Sequence, residues 1–456
     1  MTGSSNEMLL RSSLASSLIV AFISGLAGLV LLMQDVVIAS HFATGGAADA
    51  YQLAISFPMW ALNVFAGGTL LAVLVPLLTK LDLTGRIAEA TGLLNRARRM
   101  LVWLLLVICG IWGLVYPALI GQIAKGFPAD TQMLSAQLVW LAVPVLFFAG
   151  LAGMDAAILN CRKRFALISA LPAFMPAGVI LAVLLLEEWL GIFAAALGLL
   201  CGSLVQWLAM RQLTAPLLSH SEHYHIPVLL PARFLRDYGT AAASAALLGG
   251  IFMTDTYMAS TLAFGSTATN GYAVRPVILL LAFVTTVVGN VVLPFFSHLV
   301  AISDWQALEK HVLFWFVLLA LAAIPVVTLW YFYATDVVAL LYQRGAFKAS
   351  DTTRVAAVQQ IYLLQIPFFL VAMIGWRVMN SLNKHTALLS ISVTCFVVNL
   401  AADIWLAPRM GLQGVAWGSN LAFALLAILI VSYLIGIHVK NAARARHNEL
   451  SPAKVP

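Results

Sequence analysis

The chain has 456 residues, of which 62% are hydrophobic and only 9% are Asp, Glu, Lys or Arg, with a mean hydropathy of +0.97 and a formal net charge of +7. Soluble domains carry roughly 25% charged residues, so this composition excludes a soluble fold. Apolar runs of about 20 residues, rather than ten-residue alternation, point to an all-α polytopic membrane protein and away from a β-barrel.

Taken in chain order, apolar runs separated by charge, Gly or Pro give about twelve spans, at 12–38, 55–79, 100–121, 132–158, 166–186, 190–210, 238–262, 272–298, 311–341, 355–380, 385–407 and 412–437. The first run is too long for a signal-peptide core and lacks a small-residue cleavage site, so it reads as a membrane helix. Lys and Arg fall in alternate loops. Lys80, Arg86, Arg96, Arg98 and Arg99 follow the second span, Arg162, Lys163 and Arg164 the fourth, and Arg211, Arg233 and Arg236 the sixth. Lys440, Arg444, Arg446 and Lys454 sit in the tail, whereas an opposite loop carries Glu187 and Glu188. The positive-inside rule then places both termini in the cytoplasm, in keeping with a polytopic protein of inner-membrane type. Arg344 and Lys348, after the ninth span, go against that pattern. Cys109, Cys161, Cys201 and Cys395 lack paired spacing and read as free thiols.

The two halves echo each other at an offset close to 220. Pro58 and Pro76 answer Pro276 and Pro294, and "QDVVIAS" at 34–40 answers "TDTYMAS" at 254–260. Pro144 and Asn160 answer Pro367 and Asn383, "GFPADT" at 126–131 answers "GAFKASDT" at 345–352, and "GIFAAALG" at 191–198 answers "GLQGVAWG" at 411–418. Six spans per repeat is an even number, so both halves insert in one orientation, related by an axis along the membrane normal with a cavity between them. The expected organisation is an N-lobe of residues 1–210, a cytoplasmic inter-lobe linker at 211–237, a C-lobe at 238–440 and a cytoplasmic basic tail at 441–456. The linker histidines of "SHSEHYHIP" lack Cys or acidic partners at ligand spacing and read as solvated. There is no nucleotide-binding loop, HExxH or GxSxG, so the architecture points to alternating-access transport rather than catalysis, with no nucleic-acid partner and no required cofactor.

Several stretches resemble the MviN/MurJ family of lipid-linked glycan flippases, within the multidrug/oligosaccharidyl-lipid/polysaccharide exporter superfamily. "QDVVIASHFATGGAADAYQLAISFP" resembles the end of the family's first helix and the entry to its second, and "GYAVRPVILLLAFVTTVVGNVVLPFFS" its eighth helix. "LYQRGAFKASD" resembles the loop after its ninth helix, and "ILNCRKRFALISALPAFMP" the link between its fourth and fifth. The resemblance runs from about residue 14 to 437 and identifies the chain as a divergent member. Family members often carry fourteen helices, and this chain reads as twelve. The resemblance implies cavity arginines on the first, second and eighth helices that hold a substrate diphosphate. Those positions fall here on Gly28 and Gln34, on Leu62 and Asn63, and on Arg275. Several fixed guanidinium groups suit a diphosphate in a low-dielectric cavity, and one arginine with Gln34 and Asn63 is a weaker anion site.

Ionisable groups inside membrane helices are costly and point to function by default. Arg275 is the leading substrate contact, against a reading as an interfacial arginine that snorkels outward. Asp35 and Asp49 are either substrate contacts, capping groups or partners of Arg275. Asn63 and Asn290 line the cavity or form interhelical hydrogen bonds. Arg377 reads as a snorkelling anchor, the "LWYFY" run at 329–333 reads as interface belt, and Asp155 has no evident partner. Asn399 and Asp403 are i and i+4 on the eleventh span, and Val415 and Ser419 are i and i+4 on the twelfth, across the turn at "PRMG". Counted from that turn, Asp403 matches Val415 in depth and Asn399 matches Ser419, while Asp255 lies in the outer half of the seventh span. Three readings stay open: a sodium site, a protonated-aspartate relay, or structural hydrogen bonding. Hard cations want oxygen ligands, with the Val415 carbonyl contributing where an irregular turn frees it. The resemblance implies the first, because sodium-coupled members place such a site between the seventh, eleventh and twelfth helices, and Asp255, Asn399, Asp403, Val415 and Ser419 match its residue types.

The expected function is flipping of a lipid-linked polyprenyl saccharide, either a lipid II-like precursor or an exopolysaccharide repeat unit, with Na+ or membrane potential as the drive. The expected partners are that substrate, membrane lipids and glycan-synthesis membrane proteins around a monomer. The alternatives are a cation-coupled small-molecule exporter and a non-transporting partner of a glycan-synthesis complex.

Overall fold

The computed structural model describes residues 2–65, 86–161, 164–219, 232–302, 304–382 and 384–450, with the isolated residues 74, 78, 81 and 84. Its first seven helices are α1 Thr2–Phe42, α2 Gly46–Phe65, α3 Ile87–Ile123, α4 Ala129–Cys161, α5 Phe165–Ala170, α6 Phe174–Leu190 and α7 Phe193–Ser219, with a 3-10 turn at Leu171–Ala173. The next eight are α8 Ala232–Ser260, α9 Ser266–Ala301, α10 Trp305–Phe332, α11 Ala334–Tyr342, α12 Ala349–Leu363, α13 Ile366–Ser381, α14 His385–Met410 and α15 Leu412–Leu450. No strand occurs among the described residues.

Nine spans long and apolar enough to cross a membrane occur among the described residues, one of them running through α5, the 3-10 turn and α6, and α12 with α13 makes a tenth bent by 42°. The spans outside that set are the second, described only as far as Phe65 apart from isolated residues, and the seventh. The seventh is α8, whose Arg233, Arg236, Asp237 and Asp255 lower its hydropathy. Large apolar side chains such as Trp103, Leu114, Leu185 and Phe332 cover the outer surface. A bilayer stabilises that surface and water does not.

Where the helices depart from the expected spans, the break has a local cause. The fifth span is divided into α5, the 3-10 turn and α6 around Pro172 and Pro176, because proline supplies no N–H and clashes with the preceding turn. The ninth divides at Tyr333 into α10 and α11, and the tenth bends at Leu364–Gln365, just before Pro367. The N-terminal end of the expected linker is instead helix, because α7 continues to Ser219; α8 starts at Ala232, and His220, His223 and His225 lie outside the described residues. Cys109, Cys201 and Cys395 are free thiols.

In the N-lobe α4 packs on α2, α3 and α7, while α6 and α7 form a hairpin that α1 crosses. In the C-lobe α14 and α15 form the corresponding hairpin against α8, and α9 packs on α12 and α13. The lobes meet along two seams, α2 against α8 and α1 against α9.

Candidate functional site

At the end of the bundle where α1 finishes, hereafter the far end, the two lobes are joined by paired backbone contacts. The Ala346 N–H donates to the Ser40 carbonyl at 2.7 Å, and the Gly126 N–H donates to the Ser260 carbonyl at 3.0 Å. These are the repeated segments: the "AS" that ends α1 and α8 receives the glycine loop of the opposite lobe in both halves. The approach is tight. A Cβ on Gly345, which has φ +58°, would overlap the Ser40 carbonyl, and one on Gly126 would overlap that of Leu262.

Further contacts close the same end. Asp49 accepts from the N–H groups of Gly265 at 2.6 Å and Ala268 at 2.7 Å, so it caps the start of α9 from the other lobe. Asp49 precedes the apolar stretch of α2. Burial pushes its carboxyl up to about 6, against the Ala268 and Gly265 N–H groups and the Arg354 guanidinium, which pull it down. Thr44 donates to Asp351 at 2.5 Å, and Ser260 donates through its hydroxyl to the Ile123 carbonyl at 3.1 Å.

Below this closure the Arg275 guanidinium pairs across the α1/α9 seam with Asp35, Nε to Oδ2 at 3.1 Å. The Asp35 side chain is 1% exposed and that of Arg275 27%, so the arginine keeps a reachable edge while the acid is sealed. Gln34 is buried beside Asp35. Tyr51, Tyr272 and Tyr342 surround the pair, all fully buried, with hydroxyls that have no hydrogen-bond partner among the described residues. Asn63 is exposed and its amide returns to the Met59 carbonyl of its own helix at 3.0 Å. The Asn290 side chain lies outside the described ones. Along α2/α8, Trp60 Nε1 donates to the Ala246 carbonyl at 3.0 Å beside an apolar cavity of about 350 Å³, which Gly250, Thr254, Tyr257, Phe396 and Leu400 also line.

The second polar cluster lies wholly inside the C-lobe. Ser419 donates to Asp255 Oδ2 at 2.5 Å, and Asn399 Nδ2 donates to Asp255 Oδ1 at 3.3 Å. Asp403 lies within hydrogen-bonding reach of Asp255 and seats its carboxyl on the bare backbone of Gly418, where a Cβ would overlap it. Asp255, Asn399, Asp403, Val415 and Ser419 are each at most 1% exposed. Both Asp403 oxygens and Asn399 Oδ1 are buried without a hydrogen-bond partner among the described residues. Two carboxyl groups in contact in a buried, water-poor site cannot both stay ionised without a proton or cation between them. The donor set is carboxylate, amide and hydroxyl oxygen, and no group of three His, Cys, Asp or Glu occurs among the described residues. It therefore fits a hard cation rather than a transition metal. Val415 lies in unbroken helix, so the irregular turn expected to free its carbonyl is absent, and that carbonyl offers only its second lone pair.

The model of the family described as lipid II flippase MurJ matches residues 38–445. The chain belongs to the MurJ family. Among its relatives, a protein of Rickettsia prowazekii (strain Madrid E) named probable lipid II flippase MurJ is 24% identical over 423 residues, covering 89% of this chain and 81% of that protein. A solved lipid II flippase MurJ in an inward closed conformation superposes with a TM-score of 0.78 at 20% identity, covering 91% of this chain and 87% of that one. An inward-facing multidrug resistance MATE family transporter of the MOP superfamily gives 0.71 at 14% identity, covering 95% and 100%. At these identities the structural likeness establishes the shared two-lobed fold.

The MurJ-like fold also brings in residues that the sequence did not mark. Tyr362 of α12 reaches both Asp255 Oδ2, at 3.3 Å, and Asn270 Oδ1, at 2.8 Å. Asn420 donates to the Ile361 carbonyl at 2.7 Å, at the turn preceding the α12/α13 bend. Arg377 does not snorkel: it turns inward and donates to the Thr285 carbonyl of α9 at 3.2 Å. Asp155 is fully buried within electrostatic range of Arg98 and Arg211, which supplies the partners missing from the sequence reading.

Proposed function

We propose that this chain flips a lipid-linked polyprenyl saccharide across the bacterial inner membrane by alternating access of its two lobes, with both termini in the cytoplasm. The observation that carries the reading is the Asp35–Arg275 pair, a cross-lobe contact whose arginine keeps an accessible edge toward the seam. A guanidinium in that place holds a phosphate oxygen of the headgroup once the acid releases it. Gly28, Gln34, Leu62 and Asn63 supply no further cation, which favours a headgroup with less phosphate charge than that carried by the resembled lipid II transporters, or one bound chiefly through its sugars.

The cage of Asp255, Asn399, Asp403, Ser419 and the Val415 carbonyl is the coupling site in this reading, with Na+ as its ion. Its residues would hold the ion, and the ion's charge would offset the two buried carboxylates. The N-lobe comprises residues 1–210 and the C-lobe 238–440. The chain acts as a monomer, with glycan-synthesis membrane proteins as neighbours.

The test is headgroup translocation in proteoliposomes, comparing lipid II with a polyprenyl-linked exopolysaccharide repeat unit. Protein-dependent translocation of either, lost in Arg275→Ala, supports the reading. Translocation of neither, or a full rate in Arg275→Ala, contradicts it.

A further inference from the structure

The cage and the far-end closure are built from different side chains, and two elements touch both: α8, whose Asp255 lies five residues before Ser260, and α12. Helix α12 begins beside the closure: Asp351 in its first turn accepts from Thr44 of the other lobe at 2.5 Å, and Arg354 reaches Thr269 of α9 at 3.4 Å. It finishes at the cage, where Tyr362 contacts Asp255 and Asn420 holds the Ile361 carbonyl. Fifteen helical residues span about 22 Å, so a tilt at one end displaces the other. The bend that follows gives α12 a joint on which to tilt. At that joint Gln365 is fully buried with neither amide atom hydrogen-bonded among the described residues.

The Tyr362 hydroxyl carries one proton and faces two acceptors, Asp255 Oδ2 in the cage and Asn270 Oδ1 on α9. Asn270 lies five residues before Arg275 and within the first turns of α9, the part that Asp49 caps from the opposite lobe. When an ionised Asp255 lacks a cation, it draws the tyrosine proton. When a cation takes up the carboxylate charge, the proton is free for the shorter contact to Asn270. We propose that Tyr362 is a positioning residue that reads whether the Asp255–Asp403 pair holds a cation and passes that state to the far-end closure through Asn270 and α12. This inference rests on the cage being a cation site, and it adds the route by which cation occupancy reaches the gate.

The experiment uses the full chain without its native cysteines, carrying Thr267→Cys as a far-end reporter; Thr267 is 1% exposed in the closed state. Cation binding is read as the thermal shift in sodium against potassium at equal ionic strength. Gate state is read as the rate of thiol labelling. In the otherwise native chain sodium produces a thermal shift and changes the labelling rate. Tyr362→Phe and Asn270→Ala keep the thermal shift and lose the labelling response, and Asn270→Ala carries the test should Tyr362→Phe not fold. A labelling response of native size in both variants overturns the proposal. Loss of the thermal shift in Tyr362→Phe also overturns it, because the hydroxyl would then be a ligand rather than a relay. Absence of any thermal shift in the otherwise native chain sinks the cage reading itself, and the proposal with it.

Discussion

Asp35 and Arg275 belong to different lobes, and their 3.1 Å ion pair spans the α1/α9 seam just beneath the backbone contacts that close the far end. Removing one partner of a largely desolvated pair leaves the other without compensation, a loss of about 2–5 kcal/mol. Asp35→Asn and Arg275→Ala should therefore each raise labelling at Thr267→Cys by at least about tenfold, the factor that about 1.4 kcal/mol makes. Arg275→Lys keeps the charge without the fork geometry and should fall between.

The glycine contacts give a sharper prediction. Gly126→Ala and Gly345→Ala each drive a methyl into a carbonyl of the opposite lobe, so either should hold the far end open and raise the same labelling rate. Gly110→Ala serves as the control. A Cβ there meets nothing within 4 Å, and in a helix interior the change should stabilise by about 1 kcal/mol and leave labelling unaltered.

Asp49 separates structural closure from substrate contact. Its oxygens accept from two N–H groups of α9, so Asp49→Ala leaves buried donors unpaired at about 1–3 kcal/mol each. The expected outcome is a lower thermal midpoint and faster labelling at Thr267→Cys, with headgroup affinity unchanged in a binding measurement. A selective loss of affinity would assign Asp49 to the substrate instead.

The twelve-span order and the two-lobed repeat were legible in the sequence because lipid demands long apolar helices and the repeat preserves Pro, Gly and Asp at matched offsets. The hairpin at Gly411 was legible, but the depth matching was off by about one turn: Asp403 packs on Gly418 and Gly414 faces Leu406 and Ala407, so Asp403 stands level with Gly418 and Ser419 rather than with Val415. Tyr362 and Asn270 were not legible: the meeting of Tyr362 with Asp255 and Asn270 depends on how α12 tilts at a bend, and no period or spacing encodes that. Gly418 carried a signal that went unread, since a glycine directly before Ser419 and one turn after Val415 leaves room for a side chain from the facing helix. Arg377 and Asp155 misled for a shared reason, because burial between helices is decided by rotation about the helix axis, which a uniformly apolar helix does not reveal.

That cradle yields another expectation. Gly418→Ala fills the space of the Asp403 carboxyl and should abolish the sodium-specific thermal shift, as Asp403→Asn should. Retention of the shift in Gly418→Ala would place the ion elsewhere.

The most direct measurement is the rate of headgroup translocation in proteoliposomes under an imposed sodium gradient, against a potassium gradient of equal size, for the native chain, Asp255→Asn and Asp403→Asn. A membrane potential of 100 mV contributes about 2.3 kcal/mol per charge, enough to bias the lobes more than tenfold. The account predicts sodium-dependent acceleration in the native chain that both variants lose. Translocation at one rate in sodium and potassium, unaltered by either substitution, would contradict it.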